Sequence, residues 1–215
     1  MSADVTPRAG LAALLPAGSR GLRDGGSGSS TWRERLVVEA SELTRAGGWQ
    51  AITMAKLADR VGVSRQTVYN EIGSKQQLGE AMIMRELEVF LRNVDAAFTG
   101  HPGDLVGAIR EAAFTVLRDA AKNPLLHAVL SASHGAESVL LPLLTTQVEP
   151  IIDAAHGLIR SHLDAFEVPI DDSRIDALVD MVIRLVLSHV TSPAAPADKT
   201  ADDIAWIAQQ VLAAS

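Results

Sequence analysis

The stretch Leu57-Ala58-Asp59-Arg60-Val61-Gly62-Val63-Ser64-Arg65-Gln66-Thr67-Val68-Tyr69-Asn70 decides the fold. It reads as two short helices around a turn. Gly62 suits the left-handed backbone that such a turn needs and that side-chain-bearing residues resist. Ser64 carries the hydroxyl that caps a helix N-terminus. Ala58 is small enough for the two helices to cross closely, with Val63 and Val68 buried against it. The outer side of the second helix is then polar, and it is free to enter a DNA major groove with its N-terminal residues nearest the base edges.

Working outward, the chain remains helical. Ser30 or Thr31 can cap a helix with Glu34 in its first turn. Leu36, Val37, Ala40 and Leu43 form its apolar stripe, and Gly47-Gly48 stop it. Thr53 caps the next helix, which buries Met54, Leu57 and Ala58. Gly73-Ser74 open a long helix over about 74–98. Further helices are expected from Pro102-Gly103-Asp104 to about 122, over about 124–133, over about 138–165, from Asp171 or Asp172 to about 190, and over about 202–213. Pro142 and Pro150 fall at helix starts or kinks within the 138–165 segment. No segment alternates with period two, so the expected fold class is all-α. It divides into a flexible Gly/Ser-rich arm over 1–30, a three-helix helix-turn-helix unit over 31–78, and a larger helical bundle over 79–215.

Composition narrows the function classes. The 215 residues include no cysteine, which excludes disulfides and thiolate metal sites and fits a reducing cytoplasm. The net charge of −7 is unevenly spread: residues 1–78 carry +3 and residues 79–215 carry −10. Only the first part is therefore suited to phosphate. The run from Met181 to Leu187 is interrupted by Arg184 and falls well short of the ~18 apolar residues of a membrane span. The opening residues lack the charged region of a signal peptide. No pair among His101, His127, His134, His156, His162 and His189 has helical metal-ligand spacing, and no nucleophile elbow, phosphate loop or dinucleotide fingerprint occurs. Neither a metal nor a cofactor is expected, and no catalytic constellation supports an enzyme.

The residues Gly48-Trp49, Thr53-Met54, Leu57-Ala58, Val61-Gly62-Val63-Ser64, Thr67-Val68-Tyr69 and Ser74-Lys75-Gln76-Gln77-Leu78 together resemble the TetR family of regulators. The resemblance is specific over about residues 33–78; beyond, only the helix layout agrees. Two departures stand out: Gln66 replaces the frequent glycine before the threonine, and Glu71-Ile72 replace the usual aromatic pair. The overall run of the chain is similar to actinobacterial members linked to lipid and alkane metabolism or lipid export.

The resemblance implies double-stranded operator DNA as partner and a DNA-contacting set of Thr53, Ser64, Arg65, Gln66, Thr67, Tyr69, Asn70 and Lys75. Chemistry agrees with it. Thr53 and Ser64 stand at helix starts, where hydroxyl and N–H groups hold phosphate. Tyr69 and Lys75 suit the backbone, while Arg65 and Gln66 suit guanine and adenine edges. Read singly, Thr53 and Ser64 are also plain caps, Tyr69 a core residue with an exposed tip, and Arg65 and Lys75 solvated charges. Arg20 and Arg23 in the arm reach a minor groove or belong to a solvated tail.

The family further implies a homodimer built on the last two helices, with Ile175, Leu178, Val182, Leu185, Val186, His189 and Trp206 at the seam; an intramolecular core helix is the other reading of the same apolar run. It also implies a cavity in the larger bundle. Candidates for its lining are Leu87, Phe90, Leu91, Phe114, Leu117, Leu126, Val129, Leu130, Leu144, Val148, Ile151 and Ile152, each of which is equally an ordinary core residue. The expected ligand is an elongated hydrophobic small molecule such as a fatty acid or acyl chain. A helical protein-interaction module with a vestigial helix-turn-helix is the competing function, given Glu71 and the modest charge of the N-terminal part.

Overall fold

The computed structural model describes residues 31–131, 141–145, 148–166, 168 and 170–214. The arm expected over 1–30, with Arg20 and Arg23, lies outside the described residues, as do 138–140 at the start of one expected helix and His134. All regular structure among the described residues is helical.

Local signals set the N-terminal part. Helix α1 (Trp32–Gly47) begins at a complete capping box, Thr31 Oγ1 accepting from Glu34 N–H while the Glu34 carboxylate accepts from Thr31 N–H. It ends at Gly48, and the single 3₁₀ turn Trp49–Ala51 follows. Helix α2 (Met54–Val61) is capped by Thr53, whose hydroxyl accepts from Lys56 N–H. Gly62 ends it in the left-handed region, φ 77°, ψ 35°. Both Gly62 N–H and Val63 N–H donate to the Ala58 carbonyl, so the turn satisfies the end of α2. Helix α3 (Arg65–Ile72) then starts on Ser64, which caps Thr67 N–H. Helix α4 (Lys75–Gly100) opens with a second capping box, Ser74 with Gln77, and at 26 residues runs about 39 Å.

The larger part comprises α5 (Leu105–Ala120), α6 (Pro124–Leu130), α7 (Pro142–Thr145), α8 (Glu149–Leu163), α9 (Asp172–Thr191) and α10 (Ala197–Ala213). Both prolines of the 138–165 segment stand at helix starts: Pro142 opens α7 and Pro150 lies in the first turn of α8. That segment is thus two helices rather than one. The last helix begins at Ala197 rather than near 202, because Pro196 precedes an uninterrupted run of residues whose Thr200 and Ala201 are buried.

Helix α5 packs between α4 and α10, and α8 packs against both α4 and α9. Polar links span these seams. Arg110 pairs with Asp202 (α5–α10) and His162 with Asp95 (α8–α4). The apolar cluster of α1–α3 does not stop at residue 78. It continues through Met82 and Ile83 of α4 and takes in Leu125, Leu126 and Val129 of α6 and Leu144 of α7. Helix α6 is therefore a shared wall between the two parts.

Candidate DNA-binding face and ligand cavity

Helix α3 is held by one side. Val68 and Ile72 are buried in the cluster with Leu57 and Ala58, and Val63 packs on its edge. Arg33 of α1 donates through Nη1 to the Glu71 carbonyl at 2.8 Å, tying the C-terminal end of α3 to α1. Arg60 pairs with Glu39 at 2.6 Å and links α2 to α1 in the same way. The rest of α3 faces out. Thr53, Ser64, Arg65, Gln66, Tyr69 and Asn70 are exposed, with Tyr69 at 52% despite its large ring, whereas Thr67 and Lys75 are half-buried.

Several of these side chains are already ordered. Ser64 Oγ lies 2.9 Å from Thr67 Oγ1, and Gln66 Nε2 donates to Asn70 Oδ1 at 2.8 Å, one helical turn apart. Lys75 Nζ sits 4.9 Å from the centre of the Trp49 ring, a cation–π contact that fixes a positive charge at the start of α4. Arg65, by contrast, makes no hydrogen bond or ion pair with any of the described residues and stands free at the first turn of α3. Glu71 is exposed, and its backbone carbonyl accepts from Arg33. One surface thus gathers hydroxyls, amides, a phenol and two cations, a set matched to phosphates and base edges.

The second feature is internal. A cavity of about 140 Å³ lies between α4, α5, α8 and α9 and touches α6, α7 and α10. Of the residues expected to line it, Leu87, Phe90, Leu91, Leu126, Leu144 and Ile151 do. Phe114 and Leu117 instead occupy the other sides of α5, Phe114 carrying the Arg118 guanidinium over its ring. Val129 and Leu130 belong to the cluster shared with α1–α3, and Val148 and Ile152 pack with α9 without lining the cavity.

The largest difference concerns α9. Ile175, Leu178, Val182 and Val186, expected at a subunit seam, line the cavity of their own chain, and the first three are buried there. An apolar stripe looks the same whether a partner or an internal space adjoins it; only the neighbouring helices decide. Leu185 is half-buried against the core of α5 and α10, and His189 is half-buried with its ring nitrogen on the Leu185 carbonyl. Trp206 stands 61% exposed on α10, with Ile207 and Val211 beside it and Met181 exposed on α9. Periodicity alone did not single out those last three. Among the described residues no cluster of acids and histidines is arranged to hold a metal, and no helix is long and apolar enough to cross a membrane.

Comparison with known proteins agrees with this layout. Residues 36–82 match the model for bacterial regulatory proteins of the tetR family, and residues 104–210 match that for the bacterial tetracyclin repressor C-terminal domain. The HTH-type transcriptional regulator AlkX of Mycobacterium tuberculosis is 32% identical over 123 residues, and the match spans 57% of each chain, a little over half of that relative. Among solved structures, the TetR family repressor AlkX from Dietzia sp. strain DQ12-45-1b, implicated in biodegradation of n-alkanes, is 23% identical and superimposes with a TM-score of 0.70. It covers 83% of this chain and 96% of its own. A putative TetR-family transcriptional regulator from Mesorhizobium loti shares the fold at 12% identity, TM-score 0.56, over 85% of this chain and 95% of its own. These relatives are regulators rather than enzymes. Matched in both its helix-turn-helix and its larger bundle, the chain belongs to the TetR family of bacterial regulatory proteins.

Proposed function

We propose that this protein is a ligand-responsive transcriptional repressor of the cytoplasm that grips operator DNA as a homodimer and lets go when a hydrophobic molecule fills the cavity. The observation that carries the reading is the division of α3: Val68 and Ile72 inward, Arg65, Gln66, Tyr69 and Asn70 outward. Arg65 and Gln66 read bases, while Thr53, Ser64, Thr67, Tyr69, Asn70 and Lys75 hold backbone. The exposed apolar side chains of α9 and α10, Met181, Trp206, Ile207 and Val211, supply the surface on which a second copy seats, so that two α3 helices meet one duplex. The ligand belongs to the long-chain hydrophobes, among them fatty acids and acyl chains, consistent with the n-alkane context of the Dietzia repressor.

Coupling follows from shared residues. Ile83, Leu126 and Leu144 belong both to the cavity wall and to the core beneath the DNA-binding face. A ligand that presses on them favours one placement of α4 and α6 over another, and α4 starts only two residues after α3 ends. Differential affinity for those placements is what shifts operator binding. Selection of binding sites from random duplex should return a two-fold symmetric motif, bound by a dimer, with affinity falling with salt at a slope near −0.9 per phosphate neutralised. Sequence-blind or salt-insensitive association would instead favour the protein-interaction reading.

A further inference from the structure

Among the described residues, the cavity lacks what a carboxylate would require. Twenty-eight described residues line it, and Glu86 alone has a polar side chain. That acid is already engaged: its Oε2 accepts from Asn123 Nδ2 at 2.6 Å, on the side where Glu86 and Asn123 also border a polar cleft between α1, α4 and α6. The remaining lining is alanine, valine, leucine, isoleucine and phenylalanine. Within α4, α5, α8 and α9 the backbone donors are spent on carbonyls of their own helices. A carboxylate buried here would lose its hydration without a donor from the described lining in return, and the one ionisable side chain of that lining is itself an acid. A hydrocarbon loses nothing of that kind.

Shape points the same way. Along α4 the lining runs from Ile83 to Phe98, and along α9 from Ile175 to Val190. Fifteen residues of rise on each helix give about 22 Å. A lining of that extent on two helices is open to an extended chain.

We propose that the ligand of this cavity is an uncharged hydrocarbon chain, bound without a head-group contact to any of the described residues. This rests on the reading of the cavity as the effector site and narrows it. The test uses the full-length protein with three probes of equal chain length that the cavity volume admits: n-hexane, hexan-1-ol and hexanoate. Each is supplied from cyclodextrin at neutral pH, and both thermal stability and operator affinity are followed. The expected order is hexane first, the alcohol next and hexanoate last, with at least a tenfold gap in apparent Kd between the first and the last. Val182→Thr and, as a second and smaller change, Ala113→Ser each place a hydroxyl in the wall; both should narrow the gap between hexane and hexan-1-ol, whereas Val182→Ala should not. Hexanoate binding as tightly as hexane would overturn the hydrocarbon assignment while leaving a hydrophobic sensor in place. Failure of all three probes to alter either stability or operator affinity would remove the effector site itself.

Discussion

The two halves of this molecule are packed to different standards. Around α1–α3 the core is solid: Leu36, Leu57, Val68 and Leu78 have no measurable exposure, and Trp49 retains 2%. Around the cavity the inward residues of α4, α5 and α9 stop short of that, with Leu87, Leu91, Ile109, Ile175, Leu178 and Val182 each at 8–9%. The remaining surface of those side chains faces internal space. Close packing is the rule in protein interiors, and voids deprive their walls of dispersion contacts. A DNA-reading head must hold its side chains in one place, whereas a sensor must leave room for its ligand. Tolerance of volume change should therefore separate the two halves more sharply than any measure of polarity.

Truncation gives the largest test. Leu57→Ala should destabilise toward the upper end of the ~2–5 kcal/mol typical of buried leucines, since its neighbours in α1 and α3 are anchored by caps and ion pairs and cannot collapse. Leu178→Ala should fall near the lower end, because part of its surface has no contacts to lose. Chemical denaturation of the two variants measures this, and equal losses would contradict the solid-versus-hollow contrast. Enlargement should invert the effect. Ala58→Val, at the α2–α3 crossing, should cost ~1–3 kcal/mol by overpacking. Ala112→Val, in the cavity wall, should be neutral or stabilising by up to ~1 kcal/mol, as cavity filling commonly is. It should also weaken the response to ligand, which the head variant would leave intact wherever it folds.

The same contrast explains how much could be read from sequence. Each joint of the head is marked by one or two residues with a local physical job. Thr31, Thr53, Ser64 and Ser74 cap the four helix starts, and Gly62 makes the turn. Such signals need no knowledge of distant chain, so the helix boundaries, the buried Ala58 and Val68, and the outward Arg65 and Tyr69 were all legible. The body offers periodicity instead. Period identifies a stripe on α9 but not what the stripe faces, which depends on where α4, α5 and α8 lie. Ile175, Leu178, Val182 and Val186 could therefore be placed on a helix but not assigned to cavity rather than seam. Likewise α5 shows several apolar sides, and the one lining the cavity carries Ile109, Ala112, Ala113 and Val116 rather than Phe114 and Leu117. The polar start of α10 fell outside the helix expected over about 202–213: Asp198 and Lys199 are exposed, while Ala201 beside them is buried.

A side chain free of internal partners should affect reading without affecting folding. Arg65→Ala is expected to leave denaturation unchanged and to lower discrimination at one base pair of each half-site by ~1–3 kcal/mol, the worth of a bidentate base contact. Site selection with the variant checks this; recovery of the wild-type motif would take Arg65 out of base reading.

Two helix caps should have modest effects on stability, and their difference in outcome is what makes them informative. Ser64 caps α3 in the head, and Asn123 caps α6 at the seam, accepting from Leu125 N–H and Leu126 N–H. Loss of either to alanine should cost ~1 kcal/mol, the usual worth of an N-cap. Ser64→Ala removes a group from the DNA-facing surface, so operator affinity should fall equally with and without ligand. Asn123→Ala also releases the Glu86 carboxylate and with it the tie between α4 and α6. Neither Asn123 nor Glu86 lies on the DNA-facing surface, so ligand-free affinity should stay near wild type. What should shrink is the change that ligand produces, by ~0.5–2 kcal/mol of coupling. Operator titrations of both variants, with and without a ligand that shifts the unmodified protein, separate the two effects. If Asn123→Ala weakens binding uniformly, as Ser64→Ala does, the α4–α6 contact is part of the head's scaffold and transmits nothing from the cavity.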